Sequence, residues 1–219
     1  MALRLPLIGI QYWRAPTPPE DEWAGDLDHI ARLGFDAIQL RVQWAWHERV
    51  EGRFDFAEVT RLMDLAHERG LRTIVKLMVE NAPYWLFENY EADRVDPGGR
   101  VIPPENRAAF YSGLVQPCFD RPIVRRKAEP FIRGLVEATR GHPSLAFYSL
   151  WNELRSRPYA QCACPESRAR FAGWLKRRFE TVERMNRAIG KDFALFTDFR
   201  PPVNGSAYSL PLLWRTWAQ

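Results

Sequence analysis

Within its first 78 residues the chain alternates three short apolar or alternating runs with two amphipathic segments, and a glycine follows each amphipathic segment. Leu7–Tyr12 (LIGIQY), Phe35–Val42 (FDAIQLRV) and Leu71–Met78 (LRTIVKLM) read as strands. Between them, Glu20–Leu33 places Trp23, Leu27, Ile30, Ala31 and Leu33 at helical spacing, and Phe54–Arg69 does the same with Val59, Leu62, Met63, Leu65 and Ala66. Gly34 and Gly70 stand where a helix ends in left-handed backbone. Strand–helix–strand–helix–strand is the pattern of βα units winding a parallel sheet.

The pattern continues less regularly. Residues 80–121 form a long connection rich in Pro, Gly, Asn and Asp, a length uncommon unless the loop is functional. A helical stretch covers about 122–140, with Pro130 expected to kink it or to start a second segment. Leu145–Trp151 (LAFYSLW) reads as a fourth strand, followed by helices over about Glu166–Phe179 and Thr181–Ile189, and by a loop leading to a further element at Leu210–Trp217. Four βα units leave two architectures, an open doubly wound sheet or part of an eight-stranded barrel, which typically needs about 250 residues. The loop after the first strand, QYWRAPTPPEDEW, lacks the glycines that cradle phosphates, which argues against dinucleotide or P-loop chemistry.

Composition narrows the function classes. The 31 basic and 27 acidic residues leave a net charge of +4 with both signs interspersed, and no basic stripe is longer than Val124-Arg125-Arg126-Lys127, which argues against a nucleic-acid binder. No apolar run approaches the roughly 20 residues that cross a bilayer. MALRLPLIGIQYW lacks a small-residue cleavage site and reads as a first strand, which makes the cytoplasm the expected location. Three cysteines argue against a disulfide framework and leave thiols for a metal or for no role. Nine tryptophans are core filler or platforms for flat ligands; Trp44, Trp46, Trp85 and Trp151 are the candidates for stacking on sugar rings, with core packing the alternative for each.

The ionisable residues just past each strand gather on one rim. The second strand leads to Arg41 and Glu48, the third to Glu80 and Asn81, the fourth to Asn152 and Glu153. Hydrolysis of a glycosidic bond needs two carboxyl groups flanking the scissile oxygen, about 5–5.5 Å apart in the retaining mechanism. Glu153 is the candidate acid/base: it follows the fourth predicted strand directly, and an aromatic neighbour such as Trp151 is expected to help raise its pKa by limiting hydration. Asn152 can donate a hydrogen bond to a sugar hydroxyl; the bland alternative is that Asn152-Glu153 caps the next helix. For Glu48 and Glu80 the bland alternative is a buried ion pair with Arg41 or Lys76. The four histidines are dispersed and none pairs with a Ser or Cys in a nucleophile motif.

Ser149-Leu150-Trp151-Asn152-Glu153, preceded by His142-Pro143, resembles the strand-four motif of barrel glycosidases whose acid/base Glu follows Asn. An ordered series extends the likeness: Gly9-Ile10-Gln11-Tyr12, Trp23-x-x-Asp26, Arg41-Val42-x-Trp44 with Glu48, Glu51-Gly52-x-Phe54-Asp55-Phe56, Ala82-Pro83-x-Trp85-Leu86, Cys162-x-Cys164, Phe171-x-x-Trp174-Leu175 and Met185-Asn186-x-Ala188-Ile189-Gly190. Over about residues 7–200 the chain is similar to glycoside hydrolase family 42, the β-galactosidases. The resemblance implies a TIM (β/α)8-barrel fold of which residues 1–219 supply about the first four βα units, a half barrel with the remaining strands absent. It implies retaining hydrolysis of terminal β-D-galactosides, with Glu153 as acid/base and Asn152, Arg41 and Trp44 touching substrate.

The departures carry information too. The family nucleophile is a Glu near the end of strand seven, and no residue here matches it. The expectation is therefore that this chain alone is inactive, its nucleophile residing in a C-terminal half, a completing second chain or a dimer partner. A catalytically silent half barrel that binds sugar or pairs with another chain is the rival reading. The resemblance also implies a structural zinc held by Cys118, Cys162 and Cys164, with Ser167 standing where a fourth cysteine would be. Leu114 stands where the family places a substrate-binding Arg, which bears on the sugar preference.

Overall fold

The computed structural model describes residues 7–96, 98–102, 116–150 and 162–198. In chain order the elements are β1 (Gly9–Arg14), α1 (Glu20–Arg32), β2 (Ala37–Gln43), α2 (Trp44–His47), α3 (Ala57–Glu68), β3 (Arg72–Met78), α4 (Tyr84–Asn89), β4 (Arg94–Val95), β5 (Val101–Ile102), α5 (Pro122–Thr139), β6 (Leu145–Ser149), α6 (Pro165–Phe179) and α7 (Val182–Ile189), with a 3₁₀ turn at Phe196–Asp198. They fall into two compact units, residues 1–90 with 126–153 and residues 91–125 with 154–219.

The first unit is built on a four-stranded sheet in the order β1-β2-β3-β6, every neighbouring pair parallel. The strands lie side by side in the order in which the chain makes them. A doubly wound sheet reverses direction at a switch point; this one does not, and the sequential order is that of a partial α/β barrel. Alternation along β2 and β3 separates two faces. Ile38, Leu40 and Val42 register beside Thr73, Val75 and Leu77, and all six are buried. α3 packs on β2, β3 and α1, and Trp23, Leu27, Val59, Leu62, Met63 and Ala66 are buried on these two helices. Burying a side chain of the Leu or Met class stabilises by about 1.5–3 kcal/mol, which is why the apolar spacing read from the sequence decides these elements.

The opposite face is mixed, with Ile74, Met78 and Phe147 among polar residues. Arg14, Arg41, Lys76 and Ser149 register across all four strands as one row, and Gln11 and Gln39 form a second row behind it. Pro130 lies inside α5, which runs from Pro122 to Thr139 as one helix, so of the two expected outcomes the start of a second segment does not occur. The stripe Val124, Ala128, Phe131 and Leu135 is buried along the helix on both sides of the proline, and that burial offsets the one backbone bond a proline forfeits.

The second unit contains the antiparallel pair β4–β5, with Arg94 opposite Ile102 and Val95 opposite Val101. Its α6 and α7 close a small core of Phe171, Leu175 and Met185, ringed by Trp174, Phe179, Val182, Ile189, Phe193 and Phe196. Thr181 caps α7 by accepting from the Arg184 amide, and Gly190 ends it at φ 66° in left-handed backbone, which favours glycine. Among the described residues no helix is long and apolar enough to cross a membrane.

Candidate active site

The mixed face of the first unit continues into the loops that follow the strands. β2 ends at Gln43, and the chain turns at once into α2, which buries Trp44 and His47 and leads to Glu48. β3 ends at Met78 and leads to Val79, Glu80 and Asn81, all buried. The Asn81 carbonyl accepts from the Ala45 amide at 2.8 Å, which ties the end of β3 to α2.

Glu48 sits at the centre of this rim. Its Oε2 accepts from Trp44 Nε1 at 2.5 Å and its Oε1 from the Gly52 amide at 2.8 Å, while its own carbonyl accepts from Trp85 Nε1 at 2.8 Å. Burial pushes its carboxyl above the ordinary range, and the bonds from Gly52 and Trp44 draw it partly back. The ion pair with Arg41 or Lys76 anticipated for Glu48 is replaced by these neutral donors. The Glu51-Gly52-x-Phe54-Asp55-Phe56 segment explains itself here as a staple. Glu51 binds Lys127 Nζ at 2.5 Å and the Tyr90 hydroxyl at 2.8 Å, Phe54 and Phe56 stack, and the Asp55 carbonyl lies 2.7 Å from His47 Nδ1. Gly52 takes φ 76° to aim its amide at Glu48. A Gly52→Ala variant is expected to lose about 1–2 kcal/mol, the cost of placing a Cβ in left-handed backbone, measurable as a lower denaturant midpoint at unchanged slope.

Glu80 is set differently. It is 2% exposed, and neither carboxylate oxygen has a hydrogen-bond partner on another of the described residues. Burial raises its pKa, opposed by its own backbone amide and by the charges of Lys76 and Arg41. The anticipated ion pair is thus present only as attraction at a distance. Because the fold favours the protonated form, the native state holds more protons than the unfolded chain between about pH 4.3, the unperturbed glutamate value, and the raised native value. Stability therefore falls as pH rises through that window. Glu80→Gln keeps the shape and removes the charge, so the variant is expected to melt higher than the parent at pH 7 and to converge with it at acidic pH. Thermal melts of both proteins from pH 4 to 8 check this; parallel curves would contradict it. His47 contributes with the opposite sign, since burial lowers its pKa, and subtracting the two melting curves cancels it.

The tryptophans are structural where they are described. Trp44, expected to touch substrate, is 0% exposed, with its ring stacked on Phe131 and edge-on to Trp85; no face remains for a sugar. It holds Glu48 instead. Trp46 donates to Glu58 at 2.7 Å and carries Arg49 over its ring at 3.9 Å, and Trp85 is buried. Arg41 is half-buried on the mixed face, in the row with Arg14 and Lys76. Trp151, Asn152 and Glu153, like Leu114, lie outside the described residues. Glu153 comes four residues after Ser149, which registers with Lys76, and Glu80 comes four residues after Lys76.

The second unit holds a thiol cluster. Cys118 and Cys164 are buried and Cys162 half-buried, with the three sulfurs within 4.8 Å of one another. Hydrogen bonds from Cys118 and Cys164 hold Cys162 far below the ordinary thiol range, while Cys118 is pushed up by its bonds with Cys162 and Cys164 and by burial. Backbone amides aim at two of the sulfurs, Val95 N at Cys162 (3.3 Å) and Ser167 N at Cys164 (3.4 Å). The donor set suits a soft or borderline ion such as zinc. Asp120, which the sequence does not flag, accepts from the Ser167 hydroxyl at 2.7 Å.

Comparison with known proteins agrees with this architecture. The sequence profile of the family described as "Beta-galactosidase" matches residues 14–212. A β-galactosidase from Thermus thermophilus is 25% identical over 188 residues, covering 85% of this chain and 28% of that protein; one from Clostridium cellulovorans is 21% identical, covering 93% and 30%. Among solved structures, a β-galactosidase from Halorubrum lacusprofundi superposes with a TM-score of 0.76 at 20% identity, covering 90% of this chain and 30% of that one. A family-42 β-galactosidase from G. stearothermophilus gives 0.75 at 19%, covering 97% and 31%. The chain thus spans about 30% of the length of these relatives. From the profile match, which runs through nearly the whole sequence, it follows that this chain belongs to glycoside hydrolase family 42, the β-galactosidase family.

Proposed function

We propose that this chain carries the acid/base side of a retaining β-galactosidase site. What supports the reading is that Asn152-Glu153 follow in sequence within four residues of Ser149, the last residue of β6, and Ser149 is the end of the polar row Arg14-Arg41-Lys76-Ser149 that strand register builds. Catalytic groups of such barrels come from the C-terminal ends of the strands. Glu153 protonates the departing glycosidic oxygen and then, as carboxylate, takes a proton from the water that releases the sugar. Asn152 donates to a hydroxyl beside the reacting carbon, and Arg41 supplies positive charge to the polar row. The nucleophilic carboxylate comes from sequence that these 219 residues do not contain. The protein works in the cytoplasm, where its thiols stay reduced.

Zinc belongs to this reading as a structural ion of the second unit, held by Cys118, Cys162 and Cys164, where it ties the segment before α5 to the start of α6 and takes no part in proton transfer. The test is hydrolysis of a nitrophenyl β-D-galactoside. The 219-residue chain alone is expected to give no turnover, and the whole enzyme is expected to turn over with retained anomeric configuration. Turnover by the chain alone that disappears in Glu153→Gln would overturn the division of the site. Failure of the whole enzyme on galactosides, with activity on another β-glycoside, would overturn the sugar assignment.

A further inference from the structure

The fourth vertex of the thiol cluster is the question the three cysteines leave open. A closed structural zinc site takes four protein ligands in a tetrahedron. With Zn–S near 2.3 Å and Zn–O near 2.0 Å, the edges of that tetrahedron are about 3.8 Å between two sulfurs and about 3.5 Å between sulfur and oxygen. Cys118 Sγ lies 3.6 Å from Cys164 Sγ, and Ser167 Oγ lies 3.7 Å from Cys118 Sγ and 3.2 Å from Cys164 Sγ. These three separations already match the edges of one tetrahedral face. Ser167 is 3% exposed, so bulk water has little access to its hydroxyl. That hydroxyl donates its proton to Asp120 Oδ2 at 2.7 Å, which leaves the oxygen lone pairs turned toward the sulfurs. Arg170 Nη1 binds the other oxygen of Asp120 at 2.5 Å and holds the carboxylate in place.

We propose that Ser167 Oγ is the fourth zinc ligand, with Asp120 fixing its orientation by holding the hydroxyl proton, so that the ion sits in a Cys3Ser centre. This rests on the zinc reading above and adds the identity and the weakness of the fourth bond. Two physical consequences follow. A neutral hydroxyl is a poorer donor to zinc than a thiolate, so the centre releases its ion faster than a four-thiolate centre. Loss of the orienting carboxylate weakens the centre although Asp120 does not touch the ion; outer-shell partners of this kind typically carry about 10–100-fold in affinity.

The experiment uses the full 219-residue chain, reconstituted with Zn²⁺ and, separately, with Co²⁺ as a spectroscopic stand-in, and with circular dichroism confirming that each variant is folded. Release of zinc to a chromophoric chelator and the thiolate-to-cobalt absorption are the readouts. Ser167→Cys is expected to raise that absorption by roughly a third, four thiolates against three, and to slow release at least tenfold. Ser167→Ala is expected to change the cobalt d–d bands, as water replaces the hydroxyl, and to speed release. Asp120→Asn is expected to fall between Ser167→Ala and the parent. Identical spectra and release for Ser167→Ala and the parent would overturn the serine assignment while leaving zinc in place. Uptake only after Ser167→Cys would overturn it as well, showing that the hydroxyl does not complete the site. No uptake by any variant would overturn the zinc reading itself.

Discussion

Alanine at Trp44 is expected to lower folding stability by about 3–5 kcal/mol, the range for truncating a fully buried tryptophan. The side chain is wholly buried, and its ring contacts Phe131 at 6.1 Å between centroids and Trp85 at 6.1 Å. Truncation leaves a cavity among these rings. It also strips Glu48 Oε2 of its 2.5 Å donor, and a buried acceptor left unpaired costs about 1–3 kcal/mol, more when it is charged. Trp44→Phe separates the two terms, since it keeps most of the ring and removes the N–H. Its cost is expected to be smaller than that of alanine but still above 1 kcal/mol, and Trp46→Ala, at a half-buried ring, should cost least of the three. Urea unfolding with matched slopes orders the variants. A Trp44→Ala protein within 1 kcal/mol of the parent would show that the rim is not anchored through this residue.

The roles at that rim were only partly legible in the sequence, and the reasons are specific. Helical spacing marked α1 and α3 to within a few residues because each has an apolar stripe several turns long. The four residues of α2 and the six of α4 are too short to show a period, so Trp44 and Trp85 read as candidates for stacking on sugar, whereas the fold turns both ring N–H groups to Glu48. β4 and β5, two residues each, are shorter still. Charge was readable but its placement was not: Arg14, Arg41 and Lys76 become one row only through strand register. Ser167 was visible as a gap in a cysteine pattern, whereas Asp120 was not, because its partner lies 47 residues away. Local pattern thus announces elements with a repeating face, and the pairing that makes a site is set by tertiary structure.

The acid/base role proposed for Glu153 makes its strongest prediction through the leaving group. General acid catalysis contributes about 10²–10⁴-fold, but only where the departing oxygen needs its proton. In the whole enzyme, Glu153→Ala is therefore expected to cut kcat/KM by about a thousandfold on a galactoside with an alkyl leaving group. On a dinitrophenyl galactoside, whose phenolate leaves unaided, kcat/KM should fall little. On that activated substrate the second step has lost its base while the first is still fast, so the galactosyl-enzyme accumulates, kcat falls and KM falls with it. Azide, which attacks without deprotonation, should restore turnover on the activated substrate and yield a β-galactosyl azide. A residue that merely positioned substrate would lower both kcat/KM values alike and would not be rescued by azide, and a nucleophile replaced by alanine would give the α-azide instead. Equal losses on the two substrates would therefore remove Glu153 from the acid/base role, and the reading of the Ser149–Glu153 motif with it.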